Sequence, residues 1–364
     1  MGNRWGNSGN SVRLYFGGLQ NHWRWYKKAW FKGFSKAQTA YSYVHFNNVW
    51  GIRNFSRANA LKKAIKDFIQ DEEKEKQIIV YSVHTPFLEA AAYAKRKDSN
   101  IHVSLIVPDL PQYMNLEKQT WLYRIAKYFD IKRFNKYNKQ MDAYVLLTEA
   151  MTELLDVHGQ PYVVQEGIMD EKQLKECAQK TPRKAETDGL KYVVYTGKLY
   201  EKFGVKNLVD AFCKIENPNY RLTLCGNGDC VAYIQEKAKQ DERILFMGQV
   251  TPAVAEKWMK KAAVLVNPRT DNEVYTKYSF PSKTVEYLRS GNPVVGYKLA
   301  GMKDCYRDFL CVPKDDSVDA LSETIASVMA GETETQEKFS AFQAYMQELS
   351  AQSVYEKIEK MRKR

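Results

Sequence analysis

The chain has 364 residues, 44% of them hydrophobic and 27% charged, with a formal net charge of +12. That length accommodates two domains with sizeable cores, and the balance of apolar and charged residues excludes a disordered or fibrous chain. No apolar run approaches the eighteen or so residues of a membrane span. The polar, glycine-rich start "MGNRWGNSGNSVRLYFGG" lacks the apolar core of a signal peptide, so a cytoplasmic chain is expected.

The charge is uneven. Residues 1–140 hold 24 Lys and Arg against 10 Asp and Glu, whereas the remainder holds 31 against 33. The basic part is expected to face something anionic, either phosphates or lipid headgroups. It opens with "NHWRWYKKAWFKGF" (21–34), three tryptophans interleaved with lysines, a pattern open to stacking on nucleic-acid bases, to a membrane surface, or to the rim of a core.

Strand-like runs then alternate with helical patterns. "QIIVYSV" (77–83) precedes "PFLEAAAYAKRK", "IHVSLIV" (101–107) follows, "AYVLLT" (143–148) leads into "EAMTELLDVHG", and "YVV" (162–164) comes next. Between them "WLYRIAKYFDIKRFNKYNK" (121–139) spaces Trp121, Ile125, Tyr128 and Ile131 as an apolar helical stripe, widened by Leu122 and Phe129 and surrounded by basic residues. A polar stretch (170–189) breaks the alternation. It restarts with "YVVYTG" (192–197), "YRLTLCGNG" (220–228), "ILFMGQV" (244–250), "AVLVNP" (263–268), "NPVVGY" (292–297) and "FLCVP" (309–313), most followed by helical segments. Short β-rich runs separated by helices give parallel sheets with right-handed crossovers. The chain is therefore read as α/β, two doubly wound Rossmann-like domains with ligands expected in the cleft between them. The boundaries are 1–168 for the first domain, 169–190 for a linker, 191–335 for the second domain, and 336–364 for one or two amphipathic helices. In that tail Phe339, Phe342, Met346 and Leu349, then Val354, Ile358 and Met361, recur at helical intervals.

The six cysteines (177, 213, 225, 230, 305, 311) form no C-x-x-C pair and sit partly in apolar runs. They are expected to be reduced and buried, with no metal site.

Three loops of the second domain carry candidate chemistry. In "YTGKLYEKFG" (195–204) a strand ends at Gly197 and a helix begins near Val205, with Lys198 and Lys202 adding charge beside backbone N–H groups suited to a phosphate. In "CGNGDC" (225–230) Gly226 and Gly228 flank Asn227 directly after a strand, which permits positive φ and close ligand approach, or simply a tight turn. In "YSFPSKTVEYLRSGNPVVGY" (278–297) Pro281 suits the first helical position, with Ser279 or Phe280 as cap, and Gly291-Asn292-Pro293 stops the helix. Ser282, Lys283 and Glu286 share one face of that helix, which suits a ribose diol on Glu286 beside a diphosphate on Lys283.

"FPSKTVEYLRSGNPVVG", "VVYTGKLYEKFGVKNLVDAF", "RLTLCGNGD" and "ILFMGQV" resemble, in order and spacing, the donor domain of retaining glycosyltransferase family 4, of GT-B architecture, and within it the capsular and exopolysaccharide branch. The resemblance is specific over about 190–330 and looser over 40–170. It implies a nucleotide-diphosphate sugar held by the second domain and an acceptor by the first. Glu286 falls on the second glutamate of the family's E-x7-E motif, whereas the first falls on Tyr278. Lys198 falls on the family's diphosphate-binding arginine, and the next basic position falls on Phe203, with Lys202 one earlier. Gly248 and Gln249 lie in the loop that contacts the base. On the acceptor side stand His84 at the end of the first strand, Asp109 in "IVPDLP", and Glu166 in "QEGI" where the family has Asn-Gly. The family opens with an apolar strand and a glycine-rich loop. Here only "VRLYF" (12–16) offers a short strand, so that first strand–helix unit is expected to be missing or altered.

The reaction implied is retaining glycosyl transfer to a hydroxyl, with Lys198, Lys283 and Lys202 stabilising the departing diphosphate and His84 orienting the acceptor or its proton. No D-x-D motif is present, so neither a metal nor another cofactor is expected. The two basic-aromatic segments fit a domain resting on an anionic membrane at its inner face, where a lipid-linked saccharide acceptor would lie. No recognisable nucleic-acid module accompanies them, so nucleic acid is not the expected partner. A sugar-nucleotide epimerase on the same fold, a catalytically silent nucleotide-binding scaffold and a nucleic-acid-binding protein are the competing readings.

Overall fold

Two parallel β-sheets organise the structure, a computed structural model that describes residues 44–47, 52–70, 76–110, 121–157, 159–181 and 189–363. The segments "VRLYF" and 21–34 lie outside the described residues. The chain forms two compact units, one comprising Met1–Gln165 with Tyr355–Arg364, the other Glu166–Val354.

In the first unit α1 (Arg53–Gln70) precedes β1 (Gln77–Tyr81), α2 (Thr85–Lys97), β2 (His102–Val107), α3 (Trp121–Asn138), β3 (Ala143–Leu146), α4 (Met151–Leu155) and β4 (Tyr162–Val164). The four strands pair in parallel in the order β1-β2-β3-β4. Strands covered on both faces need apolar residues on both, and β3 (Ala-Tyr-Val-Leu) is buried throughout. On α1 the residues Ala58, Leu61 and Ile65 recur at three and four and are buried. Glu89 of α2 binds Lys62 of α1 (2.6 Å) and Arg133 of α3, so one carboxylate joins three helices. The stripe expected on α3 does not bury where it can be followed. Tyr128 is 64% exposed, Phe129 59% and Ile131 37%, while Phe134 turns into the core. The side chains of Trp121, Leu122 and Ile125 lie outside the described part.

The second unit opens with α5 (Glu171–Ala178), a helix inside the stretch expected as a linker. Its start is fixed by a capping box between Asp170 and Gln173. Cys177 is fully buried, and the Gln343 amide donates to the Cys177 and Lys180 carbonyls at 2.9 and 3.0 Å. Polarity alone suggested a linker, but a single buried face is enough to dock a short helix.

Then come β5 (Lys191–Lys198), α6 (Val205–Cys213), β6 (Tyr220–Asn227), α7 (Val231–Gln240), β7 (Ile244–Gly248), α8 (Pro252–Lys261), β8 (Ala262–Asn267), α9 (Ser282–Leu288), β9 (Val294–Gly296), α10 (Tyr306–Phe309) and α11 (Val318–Ala330). The sheet order is β7-β6-β5-β8-β9, all parallel. Succession runs outward from β5 to β7, then returns to the other side of β5 with β8, so the order reverses between β5 and β8. The carboxyl ends at such a switch point form the ligand crevice of doubly wound sheets. "FLCVP", expected as a strand, gives only a bridge between Cys311 and Val295, because α10 consumes its first residue. The tail forms α12 (Thr335–Tyr345) and α13 (Ala351–Arg362), with Phe339, Phe342, Met346, Leu349, Val354, Ile358 and Met361 all buried. All six cysteines are free, four of them buried. Among the described residues no helix is long and apolar enough to cross a membrane.

Candidate functional site

β5 ends at Gly197 and Lys198, and Lys198 is exposed. The chain then makes a 3-10 turn over Glu201–Phe203 and passes through Gly204, φ +75°, into α6. A Cβ on Gly204 would lie 2.0 Å from the Pro268 carbonyl oxygen. Only glycine lets this turn press on the segment that leaves β8. Lys202 is half-buried, its ammonium 5.5 Å from the ring centres of both Tyr200 and Phe203.

Gly226 and Gly228, expected to allow close ligand approach or a tight turn, lie against neighbouring backbone. A Cβ on Gly226 would stand 1.7 Å from the Gly197 carbonyl oxygen, and one on Gly228 would stand 2.2 Å from that of Leu199. These glycines let the two strand ends lie against one another. The Leu199 N–H then donates to Asn227 O (2.9 Å) and the Cys230 N–H to Leu199 O (3.0 Å). The close approach is backbone to backbone, which sequence alone cannot separate from backbone to ligand. Gly248, by contrast, has φ +63° and open space where a Cβ would be, with exposed Gln249 beside it.

The α9 segment differs from expectation at its start. Pro281 is the N-cap and Ser282 the first helical residue. Ser279 is not the cap, because its hydroxyl accepts from Arg269 Nη2 (2.8 Å) and donates to the Tyr275 carbonyl (3.1 Å). α9 is anchored to both central strands. The Tyr287 hydroxyl pairs with the backbone of Thr196 in β5, and Asn267 Nδ2 at the end of β8 donates to Thr284 Oγ1 (3.0 Å). Ser282 is exposed, and Lys283 and Glu286 are partly exposed and pair with each other at 2.7 Å. Tyr278, at the position of the family's first glutamate, is buried.

Arg269, which belongs to none of the sequence motifs, lies two residues beyond β8 and is only 8% exposed. Its guanidinium stands 4.7 Å from the Tyr275 ring centre and 5.7 Å from that of Phe203. Burial first, against the fields of Tyr275 and Asp271, holds its pKa below the usual arginine value. Lys198, Lys202, Arg269, Ser282, Lys283 and Glu286 thus belong to loops at the carboxyl ends of β5 and β8 or to the helix fastened to them.

In the first unit Ser82 has φ +94° just past β1, and His84 follows as the N-cap of α2. A non-glycine residue at that φ marks local strain at the strand end. His84 Nε2 contacts the Arg57 guanidinium, and the ring packs edge-on to Phe87 at 5.2 Å. Burial, then the charges of Arg57 and Arg53, lower its pKa to about 4, so the imidazole is neutral at pH 7. The partner Arg57, itself 4.4 Å over the Phe46 ring, had no signal in the sequence because α1 is remote in the chain. Asp109 follows β2 and is exposed.

Glu166 falls in the second unit, not with the acceptor-side residues. Its carboxylate is buried and binds Lys303 (2.9 Å) and the hydroxyls of Tyr345 and Tyr306. These contacts fasten the start of the unit to α12, and the position in "QEGI" gave no hint of such distant partners. Among the described residues no group of His, Cys, Asp or Glu side chains has the arrangement of a metal site.

Residues 190–330 match the family described as glycosyl transferases group 1. No curated protein matches the sequence. Among solved structures, the chain resembles the lipopolysaccharide outer core galactosyltransferase WaaB at a TM-score of 0.59 and 13% identity, covering 89% of this chain and 84% of that one. It resembles sucrose-phosphate synthase from Thermosynechococcus elongatus at 0.59 and 14%, covering 92% and 85%. Anabaena HepE, solved in complex with UDP-glucose, matches at 0.53 and 14%, covering 83% and 81%. The fold is GT-B, built from two Rossmann-like units.

Proposed function

We propose that this glycosyltransferase, whose residues 190–330 form its group 1 domain, moves a sugar from a nucleotide-diphosphate donor to a hydroxyl of a saccharide acceptor. What supports the reading is that Lys198 ends β5 and that α9, which carries Lys283 and Glu286, is bonded to β5 through Tyr287 beside the β5/β8 switch point. Charge that develops on a departing diphosphate is stabilised by fixed cations in a partly desolvated crevice. In the transfer the anomeric C1–O bond breaks with its electron pair passing to the diphosphate, and the acceptor oxygen bonds to C1 as its hydroxyl gives up a proton. Lys198, Lys283 and the half-buried Lys202 face the leaving group, while Glu286 accepts from the ribose hydroxyls. To reach these partners Lys283 and Glu286 must exchange their mutual contact for the ligand. That exchange is inexpensive, since an exposed pair is worth about 1 kcal/mol or less.

The finer assignments are also proposals. Transfer retains the anomeric configuration and runs without a metal, so EDTA leaves the rate unchanged. The acceptor is a lipid-linked saccharide of cell-surface polysaccharide synthesis. The branch of family 4 that builds capsule and exopolysaccharide is the one its "FPSK" segment resembles. Neutral His84, whose Nε2 accepts from Arg57 and which therefore carries its proton on Nδ1, orients the acceptor hydroxyl as a hydrogen-bond donor, with Asp109 nearby in sequence order at the next strand end. Gly248 and Gln249 border the base. The basic first unit and exposed Tyr128 and Phe129 support a peripheral position on an anionic membrane face. The test is calorimetric titration of UDP-sugars and GDP-sugars followed by a radiolabelled transfer assay. Lys198→Ala and Glu286→Ala should each weaken donor binding at least tenfold, and unchanged binding in both would remove the donor site from this crevice.

A further inference from the structure

Arg269 is a buried cation without a counter-ion. Its residue is 8% exposed, Nη2 donates to the Ser279 hydroxyl at 2.8 Å, and Nε finds no hydrogen-bond partner. Among the described residues no carboxylate lies within ion-pair distance of it. Asp271 and Glu273 reach it only through their fields, and both Asp271 oxygens accept from the Ala300 N–H at 2.8 and 3.0 Å. A charge withdrawn from water without a partner costs several kcal/mol, and buried charges are normally paired. Here neutral contacts surround it, the rings of Tyr275 and Phe203 and one hydroxyl. A buried guanidinium whose Nε–H is unpaired is suited to an anion.

Arg269 follows the carboxyl end of β8, the strand paired with β5, where the strand order reverses. The Glu201–Gly204 turn presses on Pro268, so Phe203 and Arg269 are held together by backbone contact. Phe203 is the position at which the family pattern calls for a basic residue. The fold brings the guanidinium to the Phe203 ring from another strand.

We propose that Arg269 binds the diphosphate of the donor, supplying from β8 the positive charge that position 203 lacks. The planar fork pairs with two phosphate oxygens, with Nε–H and one Nη–H as parallel donors. Aromatic faces on Tyr275 and Phe203 fix its plane, and Ser279 fixes its rotation. The inference rests on the donor-site reading, and the experiment separates the two.

The measurement is titration of UDP, GDP, ADP and the matching nucleosides into wild type, Arg269→Met and Arg269→Lys. Arg269→Met should bind the preferred diphosphate about 30-fold more weakly, ~2 kcal/mol, with affinity for the matching nucleoside unchanged. Arg269→Lys keeps charge without the fork and should lose about fivefold. Diphosphate affinity of Arg269→Met within threefold of wild type overturns the assignment. If Arg269→Met does not fold, Arg269→Lys decides by the same threshold. A wild type that binds none of the three diphosphates overturns the donor site and this assignment together.

Discussion

The Tyr287 hydroxyl accepts the Thr196 N–H at 2.8 Å and donates to the Thr196 carbonyl at 3.0 Å, so one buried side chain of α9 is clipped to the backbone of β5. This clip determines where Glu286 and Lys283 stand relative to Lys198, because Tyr287 follows Glu286 directly and Thr196 lies two residues before Lys198. Tyr287→Phe keeps the ring and removes both bonds. It should cost ~1–3 kcal/mol of stability, since the Thr196 N–H loses a partner in a buried site. Urea unfolding measures the loss, and donor affinity should fall with it. Unchanged unfolding would mean that the clip does not position α9.

The glycines divide into two kinds, and alanine substitutions should tell them apart. Gly226→Ala places a methyl 1.7 Å from the Gly197 oxygen and Gly204→Ala places one 2.0 Å from the Pro268 oxygen, both against backbone that cannot rotate away. Each should destabilise the second unit by ~3 kcal/mol or more. Gly248→Ala meets open space and bears only the strain of its φ, ~1 kcal/mol. Equal losses in chemical denaturation would contradict the packing role assigned to the first two.

Acid should weaken the fold through His84. Its folded pKa of about 4 lies below the ordinary 6.5, so the unfolded chain takes up a proton between these values that the folded chain refuses. The associated stability is fully present above pH 6.5 and is lost as pH falls to about 4, by at most ~3 kcal/mol. His102, also held low by burial, titrates in the same direction. The comparison is therefore wild type against His84→Asn at pH 7 and pH 4.5, where the variant should show the smaller decline. Arg57→Met removes the second cause and should raise the His84 pKa by NMR titration without restoring it fully, because burial remains.

The exposed aromatics of α3 give the membrane proposal a direct test. Tyr128 and Phe129 stack edge-on at 5.6 Å while both remain largely in solvent. Replacing both by serine should leave thermal stability within ~0.5 kcal/mol, as expected of surface positions. Partition onto vesicles containing phosphatidylglycerol should fall at least threefold, with little change on neutral vesicles. Equal partition of wild type onto both vesicle types would end the membrane reading.

Much of the fold was legible from local pattern. Each of the nine strands falls on one of the apolar runs named above, and the buried stripe of the tail follows from helical spacing alone. The misreadings share a cause. "FLCVP" has strand composition, yet the helix before it takes its first residue. The polar stretch at 170–181 lacks an obvious apolar face, yet one cysteine and one capping box suffice to hold α5 in place.

The sequence by itself determined the parallel α/β class, the division of charge and the strand ends that carry Lys198 and the α9 segment, since these depend on periodicity and turn residues close together in the chain. The tertiary structure alone decided what those ends do. It set Gly226 and Gly228 against neighbouring backbone, drew Glu166 into a buried link with Lys303 and Tyr345, set Arg57 against His84, and left Arg269 buried with an unpaired Nε. Each outcome depends on which residue from a distant segment arrives within a few ångströms, and burial and electrostatic pairing are properties of that encounter.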